Sequence, residues 1–111
     1  MSNYRRKGVW KLQRLRKVVL PEGLESIGGG CFWESGLEEI TIPKSVKVIE
    51  RFAFLKCKSL KKMIFEKGSK LEKIELKAFY GCGNLKIVGA PPLLKEIRKK
   101  AFRKTHLEGE F

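Results

Sequence analysis

The chain has 111 residues, a formal net charge of +13 and three cysteines, with 42% hydrophobic and 33% charged residues. That length suits one domain spanning 1–111, and no apolar run approaches the ~20 residues of a membrane-spanning helix. Composition also removes most chemistry: there is no aspartate and a single histidine, His106. A calcium cage, a zinc triad and a Ser–His–Asp or Cys–His–Asp triad all lack ligands. No metal, no cofactor and no enzymatic activity are expected.

Residues 1–14 carry Arg5, Arg6, Lys7, Lys11 and Arg14 without one acid. No apolar stretch of ~7–15 residues follows this basic start, so it does not read as a secretory signal, and on that ground the chain is expected to stay inside the cell. Val9-Trp10-Lys11-Leu12-Gln13-Arg14-Leu15 matches Ala101-Phe102-Arg103-Lys104-Thr105-His106-Leu107 in residue class. Residues 1–14 therefore read as a degenerate basic half-repeat.

Regular repetition begins at Leu15. The clearest unit is Leu37 to Leu60: Leu37, Ile40 and Ile42, a Pro43 stop, Val46 and Ile49 three apart, an Ala53-Phe54 pair, and Cys57 ahead of the next leucine. Upstream the pattern reads Leu15, Val18, Leu20, Pro21, Leu24, Ile27 and Cys31-Phe32. Downstream it reads Leu60, Met63, Phe65, Leu71, Ile74, Ala78-Phe79 and Cys82, then Leu85, Val88, Ala90, Pro91, Leu94, Ile97 and Ala101-Phe102. Ser35 and Thr105 take the cysteine position in the first and last units. The repeats are thus 15–36, 37–59, 60–84 and 85–106, and 107–111 opens another. A period in the twenties marks a stacked array whose units bury their apolar sides only against neighbours.

Each unit resembles LxxIxIPxxVxxIxxxAFxxCxxL, the repeat of BspA-like, or Treponema-type, leucine-rich repeat proteins, over about residues 15 to 107. The resemblance implies a leucine-rich repeat solenoid, α/β by convention. It also implies a module that binds host or matrix proteins at a cell surface. That location conflicts with the absence of a signal, and the sequence leaves the compartment open.

Spacing predicts the local structure. Leu37, Ile40 and Ile42, the isoleucines two apart and followed by proline, read as a short strand; such strands repeated at equal intervals stack into one parallel sheet, which the leucine-rich repeat resemblance places on the concave face. Proline at 21, 43 and 91 ends a strand where no ladder donor is needed, and in the third unit Glu66-Lys67-Gly68-Ser69-Lys70 replaces that turn with a loop two residues longer. The Val46–Ile49 segment returns on the convex side as a second short strand or an extended turn. No apolar stripe exceeds about two helical turns, so little helix is expected and the content is mostly β.

Cys57 and Cys82 share a column on adjacent rungs, where a disulfide is conceivable; buried thiols filling a core slot are the favoured reading, and Cys31 reads likewise. Two surfaces remain. Between the inward leucine and isoleucine positions, Lys17, Glu39, Lys62 and Ile87 form one outward column, and Val19, Thr41, Ile64 and Phe111 another. These are the candidate residues for a protein partner. The basic ends supply the alternative: Arg5, Arg6, Lys7, Lys11, Arg14 and Arg16 with Lys99, Lys100, Arg103 and Lys104 would attract a polyanion, nucleic acid or glycosaminoglycan. Nucleic acid is the less favoured partner, because charge count alone carries no phosphate register. The open ends of the array are expected to support weak self-association.

Overall fold

The computed structural model describes residues 16–109, and nothing in that span is helical. Nine strands alternate between two parallel sheets. Strands β1 (Lys17–Val19), β3 (Glu39–Ile42), β5 (Lys62–Phe65), β7 (Gly83–Val88) and β9 (Thr105–Glu108) build a five-stranded sheet in that order. Strands β2 (Ser26–Ile27), β4 (Val48–Ile49), β6 (Lys73–Ile74) and β8 (Glu96–Ile97) build a four-stranded sheet on the return side. The chain is a β-solenoid of about four turns, as the repeat spacing predicts.

Both sheets face one core. Alternation along β3 and β5 turns Ile40, Ile42, Met63 and Phe65 inward, against Ile27, Ile49 and Ile74 from the return sheet, and all are buried. Leu24 and Val46, after the proline turn, and Leu71, after the loop that replaces it, are buried as well. On the remaining side the phenylalanines stack rung upon rung: Phe32 on Phe54 at 5.2 Å, Phe54 on Phe79 at 4.9 Å and Phe79 on Phe102 at 5.1 Å between ring centres, planes within 7°. The strand spacing of about 4.8 Å imposes that distance, so one residue type repeated at one slot makes a continuous column. The last described rung is less covered: Ile97 is 45% exposed where Ile27, Ile49 and Ile74 are 0%.

The Ala-Phe turn forms a third hydrogen-bonded side. Phe32 N–H donates to Ala53 C=O, Phe54 to Ala78 and Phe79 to Ala101, and the residue two beyond each phenylalanine repeats the bond one rung on, Glu34 to Leu55, Lys56 to Tyr80 and Gly81 to Arg103. To aim these groups along the stack, each turn holds two residues at positive φ. One column is Gly30, Phe52, Lys77 and Lys100; the other is Glu34, Lys56, Gly81 and Lys104. A non-glycine residue there costs about 1–2 kcal/mol, offset by the ladder that fixes the turn.

The fourth rung departs from the expected frame. Earlier units have a turn between the cysteine slot and the strand, which puts Leu37 and Leu60 three residues before Ile40 and Met63. From Cys82 the chain runs straight into β7, so Leu85 and Ile87 alternate inward at a spacing of two. Met63 pairs with Ile87 and Ile64 with Val88. Ile87 is therefore buried, 7% exposed, and not on the outward face where the unit count puts it. Lys86 takes its outward slot, and Val88 faces out where an inward position is expected.

Candidate functional site

The outward face of the five-stranded sheet carries two columns. Register places Lys17, Glu39, Lys62, Lys86 and Glu108 in one, and Val19, Thr41, Ile64 and Val88 in the other. The first alternates in sign along its N-terminal part, and Lys62 reaches Glu39 at 4.0 Å; such exposed pairs add little stability. In the second, Val19 is 91% exposed and Thr41, Ile64 and Val88 are half-buried by neighbouring strands. Phe111 lies outside the described residues.

The return side carries ion pairs, most of them between adjacent rungs. Lys95 meets Glu72 at 3.6 Å, Lys73 meets Glu96 at 4.0 Å, and Arg98 contacts Glu75 at 3.5 Å and Glu96 at 3.2 Å. Sequence reading missed this pattern, although Glu25, Lys47, Glu72 and Lys95 already alternate in sign at equivalent positions.

Of the basic clusters, Arg5, Arg6, Lys7, Lys11 and Arg14 lie outside the described residues. Arg16 is exposed and pairs with Glu38 at 3.6 Å. Lys99, Lys100, Arg103 and Lys104 are all exposed on the last turn, and among the described residues none of them has an ion-pair partner.

The three cysteines are free and fully buried. The cysteine slot is more than a small apolar position. Cys57 donates its S–H to Phe32 C=O at 2.8 Å, Cys82 donates to Phe54 C=O at 3.1 Å, and Thr105 donates its hydroxyl to Phe79 C=O. Each bond ties a rung to the one before it. The column reads Ser35, Cys57, Cys82, Thr105, every member an O–H or S–H group, and that common feature is the signal the sequence offered.

Burial pushes the Cys31 and Cys82 thiols from an ordinary 9.0 up to about 12 and raises Cys57 as well. The unfolded chain ionises these thiols first, so their contribution to stability is complete below pH 9 and is lost as pH climbs toward 12. Denaturant midpoints measured from pH 8 upward should fall, with a shallower fall in Cys31→Ala. Iodoacetamide at pH 8 should label no thiol until the chain is unfolded.

Among the described residues no three His, Cys, Asp or Glu side chains come together as a metal site, and no helix is long and apolar enough to cross a membrane. Stacked strands, buried leucine and isoleucine columns and a side-chain-decorated sheet define a leucine-rich repeat solenoid, a class commonly used for protein binding. The chain belongs to the family described as BspA type Leucine rich repeat region, which matches residues 7–109 in six copies. Such families are typically non-catalytic. No curated protein and no solved structure matches the chain.

Proposed function

We propose that the chain is a non-catalytic binding module of adhesion type that presents the outward face of the five-stranded sheet to a protein partner, a host or matrix protein. The observation that carries the reading is the stripe Val19, Thr41, Ile64 and Val88, in unbroken ladder register beside a column of charged side chains. An apolar strip rimmed by charge is the composition of a specific contact. β-Branched residues also suit strands for their own sake, so the test must act on the surface and spare the fold. Ile64→Glu and Val19→Glu do so, since both side chains point away from the core. Binding of the parent chain to immobilised extracellular-matrix proteins should change little with salt, and Ile64→Glu should weaken it about tenfold, or about 1.4 kcal/mol. Unaltered binding by both variants would overturn the assignment.

A second reading is supported by the exposed Lys99, Lys100, Arg103 and Lys104, which have no ion-pair partner among the described residues. Polyanion binding there predicts retention on heparin that collapses steeply with salt and is indifferent to Ile64→Glu.

A further inference from the structure

A groove of about 750 Å³ runs across the Ala-Phe turns, its lining drawn from Glu34 in the first described rung to Lys104 in the fourth. Its apolar lining is Phe52, Leu55 and Tyr80; its charged lining is Lys56, Lys58, Lys77 and Lys104 against one carboxylate, Glu34. The Lys77 ammonium lies 5.3 Å from the Tyr80 ring centre and that of Lys104 lies 5.9 Å away.

The backbone makes this arrangement unusual. Lys56, Lys77 and Lys104 all sit at left-handed φ, 57°, 53° and 59°. In the same two columns Gly30 and Gly81 adopt φ of 69° and 72° without strain. Glycine is the less costly residue at each of these positions, yet three of the groove's four lysines occupy them. The turn ladder imposes left-handed φ at both positions of each turn whatever the residue, so the fold itself fixes where these three side chains leave the backbone.

We infer that this groove is a second binding site and that its ligand is an acidic peptide segment bearing an aromatic or aliphatic side chain. Four lysines facing one glutamate set the charge of the ligand. Phe52 and Leu55 supply the apolar contact that a bare anion would not use. A single-stranded nucleic acid would need an open ring face on which to stack its bases, and the Tyr80 ring is already attended by two ammonium groups. The inference does not rest on the sheet-face reading, and the two are separable by experiment.

The decisive variant is Lys56→Gly with Lys104→Gly, compared with Lys67→Gln and Lys70→Gln, which remove equal charge from the turn after β5. The probe is a fluorescent glutamate-rich peptide with one central phenylalanine, titrated into the whole chain and followed by anisotropy. The glycine pair should keep or raise the denaturant midpoint, because glycine suits left-handed φ, while weakening peptide binding about tenfold or more. The glutamine pair should change binding about twofold at most, Ile64→Glu should leave it unchanged, and a peptide with serine for phenylalanine should bind more weakly. Equal loss from both lysine pairs would reduce the site to bulk charge and overturn the proposal. So would unchanged binding in the glycine pair, or a single-stranded oligonucleotide of equal charge that outcompetes the peptide.

Discussion

Phe54→Ala and Phe79→Ala are each expected to leave the protein unfolded or nearly so. Both rings are fully buried, and each is stacked on both faces, Phe54 between Phe32 and Phe79, Phe79 between Phe54 and Phe102. Truncating a buried phenylalanine costs about 3–5 kcal/mol, against a total of about 5–15 kcal/mol for a domain of ordinary stability. The column also limits recovery. The stacked neighbours are held by hydrogen-bonded turns above and below, so they cannot collapse into the cavity. In a linear array the loss falls at an interface between rungs, and a central gap uncouples the rungs on either side. Phe102→Ala should cost less, because that ring is only half-buried. Lys17→Ala, on an exposed strand position, should move the denaturant midpoint hardly at all. Midpoints for Phe54→Ala and Phe79→Ala within error of the parent would remove the phenylalanine column from the core.

The second large effect is expected from one methyl group. Gly89 follows β7 at φ +89°, and a Cβ there would lie 2.5 Å from the carbonyl oxygen of Phe65. That oxygen belongs to the backbone of the neighbouring rung, so it can move only if β5 moves with it. Gly23 has the same φ of +89° with nothing within 4 Å of its Cβ position. The pair separates two costs that usually come together. Gly23→Ala should lose only the conformational part, about 1–2 kcal/mol. Gly89→Ala adds displacement of a fixed strand and should lose about 4 kcal/mol or more, the range that marks a named structural failure. Equal midpoints for the two variants would show that the end of the fourth rung is loose enough to accept a side chain.

The repeat explains how much of this could be read in advance. Leu37, Ile40, Ile42, Val46, Ile49, Ala53-Phe54 and Cys57 recur in several copies, and a solenoid converts sequence period directly into spatial neighbours. One parallel sheet, a buried phenylalanine column and buried thiols follow from that alone, because each core slot is filled by the same slot one rung away; the second sheet does not, since the spacing of the return segment suits an extended turn as well as a strand. The outward placement of Glu39, Thr41, Lys62 and Ile64 was legible for the same reason, strand alternation carrying it from one unit to the next.

What the tertiary structure decided lies where neighbouring rungs are not copies. Leu85 and Ile87 were counted from the leucine, but the frame of a strand is set by its hydrogen-bonded partner, and pairing Met63 with Ile87 turned that side chain inward and brought Lys86 out. The donors in the cysteine column depended on where the preceding phenylalanine carbonyl points, a direction that no spacing encodes. The lysine-lined groove needed both: left-handed turn positions that only the turn ladder imposes, and side chains from adjacent rungs that meet only once the coil has closed. Periodicity determined which residues are stacked; the backbone's direction at each turn determined what the stacked residues face.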